Sequence, residues 1–208
     1  DQANCWVIQM STSEVYGTAK VVPMSESHML QPQSPYSASK VAADAVALSY
    51  HSSYDTQVVL GRPFNTYGPR QSRRAVIPTI ISQLLEDNEK VSLGNLDAIR
   101  DFTYVEDTCR LLCLVAICER SIGEVINIGT GVGVTVRELF ERISLLMGKS
   151  VDIKFDQERK RPERSEVDKL ICDNSRLMEL TGSRPSIQLD DGLMRTIKWF
   201  TDNCQINS

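Results

Sequence analysis

The sequence predicts an α/β fold built on a mostly parallel sheet. Short apolar runs with β-branched content, such as Cys5 to Met10 and Gln57 to Gly61, read as buried parallel strands. Longer segments with apolar residues at helical spacing lie between such runs, and alternation of the two indicates a parallel α/β sheet. No internal repeat or low-complexity stretch interrupts that order.

The elements follow in turn. Cys5 to Met10 closes in the polar run Ser11-Thr12-Ser13-Glu14, a strand terminus, and Gly17 to Pro35 is loop-like, rich in Pro, Ser and Gln. From Tyr36 to about Ser53, residues Val41, Ala42, Ala45, Val46, Ala47 and Leu48 predict a helix with a wide apolar face. Gln57 to Gly61 is the next strand, Ile77 to Leu85 a helix and Val91 to Leu93 a short strand. Glu106 and Asp107 open a helix over Val105 to Glu119, where acids favour the positive end of the helix dipole. Glu124 to Ile128 is a strand. Thr135 is placed to cap a helix over Val136 to Met147, with Glu138 at the capping-box position. A strand at Val151 to Phe155 and helices near Ser175 to Leu180 and Leu189 to Asn203 complete the chain.

Composition narrows the function classes. The 208 residues suit one domain or two small ones sharing a core. A net charge of -4 argues against nucleic-acid binding, which calls for a basic excess. No apolar run approaches the roughly 18 residues of a membrane span, and the start does not resemble a signal peptide. A cytoplasmic protein with no membrane partner is the expectation. Cys5, Cys109, Cys113, Cys118, Cys172 and Cys204 form no Cys-x-x-Cys pair, and His28 and His51 are not spaced to join them, so no metal site is expected.

Gly129-Thr130-Gly131-Val132-Gly133 sits between a strand and a helix and invites a dinucleotide-binding reading. Its spacing lacks the third glycine position that lets helix and strand pack closely. Asp152 lies at about the distance of a ribose-binding acid, but among alternating strand residues. A tight strand-to-helix turn is the expected role.

The strongest chemical signal is Tyr36-Ser37-Ala38-Ser39-Lys40. Tyrosine and lysine four apart on a helix share a face, and an ammonium there favours the phenolate, which is a general base. Upstream, Ser11-Thr12-Ser13-Glu14-Val15-Tyr16-Gly17 closes an apolar strand, and carboxyl ends of parallel strands are where open α/β sheets bind ligands.

These two blocks, with Arg62-Pro63-Phe64-Asn65-Thr66-Tyr67-Gly68-Pro69-Arg70, Arg100-Asp101-Phe102-Thr103-Tyr104-Val105-Glu106-Asp107, Asn127-Ile128-Gly129 and Arg161-Pro162, resemble the extended short-chain dehydrogenase/reductases. Within that family the chain looks most like nucleotide-sugar 4,6-dehydratases, in particular those acting on N-acetylglucosamine nucleotides toward legionaminic acid. The resemblance implies the C-terminal part of a Rossmann-type parallel sheet interleaved with a small substrate-binding lobe. Residues 1–66 and 104–128 are expected in the sheet layer, and residues 67–103 and 129–208 in the lobe.

The resemblance also implies roles. Thr12 would hydrogen-bond the sugar O4, and Tyr36 would deprotonate that hydroxyl while hydride leaves C4 for NAD. Lys40 would tune Tyr36 and hold the nicotinamide ribose, with Ser11 also at the cofactor. The 4-ketone acidifies the C5 proton, Glu14 would remove it, and water would leave across C5 and C6. Ser13 stands where glucose-nucleotide dehydratases usually carry aspartate, so Glu14 would serve both proton steps. Asn65, Arg100 and Arg161 match positions that hold the nucleotide pyrophosphate, for which guanidinium forks are suited. Arg70, Arg73 and Arg74 are candidates for the rim.

Two further expectations concern the whole chain. It opens without an initiator Met almost directly on an apolar strand, so an upstream cofactor-binding segment is expected to be missing. These residues alone are then expected neither to bind NAD tightly nor to turn over. The resemblance implies a homodimer of the full-length protein through the Tyr36 helix. The alternatives are a UDP-glucuronate decarboxylase, a nucleotide-sugar 4-epimerase, or a non-catalytic nucleotide-binding relative.

Overall fold

A computed structural model describes residues 6–86, 89–156 and 167–204. The elements run β1 (Trp6–Met10), a 3-10 turn (Ser13–Tyr16), α1 (Pro35–Tyr54), β2 (Gln57–Pro63), β3 (Asn65–Tyr67), α2 (Val76–Leu85), β4 (Lys90–Leu93) and β5 (Ile99–Tyr104). They continue with α3 (Val105–Ile117), β6 (Val125–Ile128), β7 (Gly133–Thr135), α4 (Val136–Leu146), β8 (Asp152–Phe155), β9 (Lys169–Leu170), α5 (Ser175–Thr181) and α6 (Leu189–Cys204).

The first sheet has the order β1-β2-β6 and is parallel throughout, with Trp6 opposite Gln57 and Leu60 opposite Val125. Its central strand β2 is buried from Val58 to Arg62. Leu111, Leu112 and Val115 of α3 pack with Val59, Ile126 and Ile128, each such side chain contributing about 1.5–3 kcal/mol on burial. Gly61 permits the approach, since a Cβ there would lie 2.7 Å from Leu112. Leu177 of α5 enters the same core, so the chain returns to the sheet layer after residue 129.

The second sheet centres on β5, which pairs in parallel with β3 and β9 and antiparallel with β7. This strand was not evident in the sequence, because Arg100 and Asp101 interrupt its apolar pattern. β4 and β8 form a separate parallel pair. The largest core gathers Ile77, Ile80 and Ile81 of α2, Leu139 and Ile143 of α4, and Leu193 and Phe200 of α6 around these strands. Thr135 and Glu138 form the expected capping box.

Among the described residues only β2 pairs with β1, and Val7 and Met10 are 40% and 44% exposed. In α1 the fully buried positions are Ser37 and Asp44, while the apolar Val46, Tyr50 and Tyr54 are exposed. No helix of the described residues is long and apolar enough to cross a membrane.

Candidate active site

The carboxyl end of β1 is where the chemistry-bearing side chains gather. Thr12 caps the 3-10 turn, its hydroxyl accepting the Glu14 backbone N–H at 3.2 Å. Glu14 stands in the first turn, half-buried, and Ser13 is buried beneath it. The turn closes on Gly17, whose positive φ and approach to the Gln31 carbonyl exclude a side chain.

α1 begins beside this turn and packs against it. Ser34 and Ser37 form a capping box and Pro35 occupies the first helical turn, which sets the helix start one residue before Tyr36. Tyr36 is 52% exposed. The Lys40 ammonium lies 6.0 Å from the Tyr36 ring centroid and donates to the Met10 carbonyl at 3.0 Å. An ammonium carries three N–H donors, so this anchor leaves capacity for a further acceptor. Sheet terminus, acidic turn and Tyr-Lys helix therefore meet at one place.

Ser11 faces the interior. Its hydroxyl donates to the buried Asp44 carboxylate at 2.8 Å. Asp44 in turn accepts Arg62 at 3.0 Å, and Arg62 also donates to the Tyr16 hydroxyl at 3.0 Å. Burial pushes the Tyr16 phenol above its ordinary range despite the nearby Arg62 charge, so it stays a hydroxyl and donates to Asn127. Sequence reasoning did not single out Asp44, although it lies on the Tyr36 and Lys40 face eight residues beyond Tyr36.

Asn65 and Arg100 come together on the wall of a cavity of about 330 Å³, with Gln71, Arg74, Asn95 and Phe102. The carbonyl oxygens of Asn65 and Gln71 are buried there with no partner among the described residues. Two such acceptors beside a cavity suit donors from a ligand, from water or from further residues. Arg100 is anchored by the Ile99 carbonyl at 2.9 Å. Gln71 was missed in the sequence, where its one signal is its place directly after Gly68-Pro69-Arg70. Of the rim candidates Arg74 lines the cavity, while Arg70 and Arg73 do not. Arg161 lies outside the described residues.

The glycine turn has a structural task. Asp101, fully buried, accepts the N–H groups of Thr130 at 2.9 Å, Gly131 at 2.8 Å and Cys172 at 3.1 Å. Burial raises the Asp101 pKa, and these donors offset part of that rise. The Thr130 and Gly131 amides that a phosphate would need are thus already taken. Gly129 and Gly133 permit close packing against Cys172 and Ile99, where a Cβ would come within 2.4 and 2.7 Å.

Comparison with known proteins bears on the family and the fold. Residues 1–196 match the GDP-mannose 4,6 dehydratase family. A dTDP-glucose 4,6-dehydratase of an Actinoplanes species is 36% identical over 94% of this chain and 60% of that protein. The dTDP-glucose 4,6-dehydratase of Bacillus anthracis, solved in complex with NAD, superposes with a TM-score of 0.88 at 31% identity, over 96% of this chain and 63% of its own. A UDP-N-acetylglucosamine 4-epimerase from Methanobrevibacter ruminantium gives a TM-score of 0.86 at 33% identity, over 94% and 63%. The chain thus spans about three-fifths of the length of these relatives. The chain belongs to the GDP-mannose 4,6 dehydratase family, within the extended short-chain dehydrogenase/reductases.

Proposed function

We propose that the protein carrying this chain is an NAD-dependent nucleotide-sugar 4,6-dehydratase. The observation that carries the reading is the packing of the turn that bears Thr12 and Glu14 against the start of the helix that bears Tyr36 and Lys40, whose ammonium reaches the end of β1. A carboxylate beside a Tyr-Lys pair suits elimination, whereas epimerisation needs no such base.

Tyr36 and Lys40 would hold the nicotinamide end of NAD, which would supply hydride acceptance at C4 and hydride return at C6. The fit rests on the spare donors of the anchored Lys40 ammonium and on the half-exposed Tyr36 ring. Tyr36 takes the O4 proton as a general base, with the Lys40 charge stabilising the phenolate. Thr12, its oxygen already accepting from Glu14 N–H, keeps its own proton to donate to O4. Once C4 is a ketone, the C5 proton is acidic through enolate delocalisation. Glu14 removes that proton and returns it to the departing C6 hydroxyl, because the buried Ser13 is too weak an acid for that task.

The nucleotide is proposed in the cavity of Asn65 and Arg100, with Arg161 as a further phosphate ligand. An N-acetylglucosamine nucleotide is proposed as substrate on the resemblance of the sequence blocks, with a glucose nucleotide as the alternative that the similar dTDP-glucose 4,6-dehydratases suggest. The test is a panel of UDP-, GDP- and dTDP-sugars offered to the complete polypeptide that contains this chain. Loss of water and a 4-keto product from one of them is the expected result. Products only of 4-epimerisation would favour the epimerase reading.

A further inference from the structure

The residues proposed for chemistry sit on two separate elements. Thr12 and Glu14 belong to the 3-10 turn that ends in Tyr16, while Tyr36 and Lys40 belong to α1. Nothing in the local sequence fixes their separation. Beneath both runs one continuous buried polar chain. Ser11 Oγ donates to Asp44 Oδ2 at 2.8 Å, and Arg62 donates to the same oxygen through Nη2 at 3.0 Å and Nε at 3.3 Å. Arg62 Nη1 donates to the Tyr16 hydroxyl at 3.0 Å, which donates to Asn127 Oδ1 at 2.8 Å. Asn127 Nδ2 then donates to the Met24 carbonyl at 3.0 Å.

Every residue whose side chain takes part is 3% exposed or less. A buried ion pair is a poor source of net stability, because desolvation offsets most of the attraction. What the guanidinium supplies is geometry: a rigid planar fork whose two ends are directed at two different elements. One end grips α1 one turn beyond Lys40, on the Tyr36 face. The other grips the last residue of the turn that carries Glu14. β2, the central strand of the sheet, supplies the frame from which Arg62 projects.

We propose that Arg62 is a positioning residue that fixes the Glu14 turn and the Tyr36–Lys40 helix at one separation, so that both proton transfers are aligned from a single frame. Its kinetic consequence rests on the dehydratase reading above. The two arms of the fork then have different signatures. Loosening the Tyr16 arm misplaces Glu14 and slows elimination. Loosening the Asp44 arm misplaces Tyr36 and slows oxidation at C4.

The test uses Tyr16→Phe and Asp44→Asn in the complete polypeptide, with nicotinamide absorbance following oxidation and mass spectrometry following water loss. Tyr16→Phe is expected to slow elimination on the order of tenfold or more while oxidation and KM stay near wild type. Asp44→Asn is expected to slow oxidation by a similar factor. A purely structural role would lower both steps together through loss of folded protein, so an unchanged ratio of the two steps in Tyr16→Phe would overturn the proposal. Amide hydrogen exchange of Arg62→Lys against wild type separates this question from the reaction itself. Faster exchange at both residues 12–17 and residues 36–41 supports the coupling, and unchanged exchange at both overturns it, whatever sugar the protein accepts.

Discussion

Replacing Tyr36 by Phe removes the phenol while keeping the ring, so the proposed proton acceptor is lost with little change in packing at a half-exposed site. The expected outcome is loss of C4 oxidation with an unaltered melting curve, and turnover like the wild type would remove Tyr36 from the mechanism. Glu14→Gln should allow oxidation and block elimination, read as reduced nicotinamide accumulating without a dehydrated product. Arg100→Ala should weaken nucleotide-sugar binding by about 2–5 kcal/mol, the range for truncating one partner of a desolvated charged contact, as measured by calorimetry. At this scale the sequence was legible where the chemistry follows a period. Tyr36 and Lys40 share a helix face by spacing alone, and the capping box of Thr135 and Glu138 is a local pattern. The pairing of Asp44 with Arg62, and of Tyr16 with Asn127, was not legible. Those partners meet only after the sheet has assembled, 18 and 111 residues apart in the chain.

Among the elements, one carboxylate ties α3 to the segment that joins α5 to α6. Asp107 accepts the backbone N–H groups of Ser186 and Ile187, each at 2.7 Å, and pairs with Arg110. Burial works against its ionisation, but the donations from Ile187, Arg110 and Ser186 outweigh it and hold the carboxyl below its ordinary value. A depressed folded-state pKa stabilises the fold above the unfolded value of about 4 and loses that contribution as pH falls through the folded value. Asp107→Ala should therefore lower the melting temperature at neutral pH, and the gap from wild type should close in the acid range below pH of about 4. Leaving the two N–H groups without a partner costs about 1–3 kcal/mol for each that water cannot reach. An equal gap at neutral and acid pH would mean that the charge of Asp107 is not what ties α3 to this segment. The same scale explains the unforeseen β5. Its Arg100 and Asp101 interrupt the apolar pattern, yet Asp101 is satisfied inside by the turn at Thr130 and Gly131, a contact that spacing does not reveal. The apolar face expected on α1 is largely uncovered among the described residues.

At the scale of the molecule, that uncovered face bears on assembly. Val46, Tyr50 and Tyr54 are 58%, 54% and 73% exposed along α1, a row of apolar surface suited to a helix from a second copy. With the homodimer proposed through this helix, Val46→Asp in the complete polypeptide should shift its mass in solution from dimer to monomer, read by light scattering. A wild-type monomer would place the apolar row against some other part of the same protein. The fold class, the longer helices and the strands β1, β2, β4, β6 and β8 were legible, because alternation of strand and helix is a property of the whole chain; β3, β5, β7 and β9 were not. The layering was less so, since α5 and its Leu177 return to the first sheet late in the sequence.

The central claim is that Glu14 makes this site a dehydratase and not an epimerase, and it is tested most directly on the product. The complete polypeptide, given NAD and each nucleotide sugar of the panel, is followed by mass spectrometry. The predicted result is a nucleotide sugar lighter by one water and carrying a ketone at C4, formed by the wild type and absent with Glu14→Gln. A product of unchanged mass with inverted C4, formed equally well by both proteins, would contradict it.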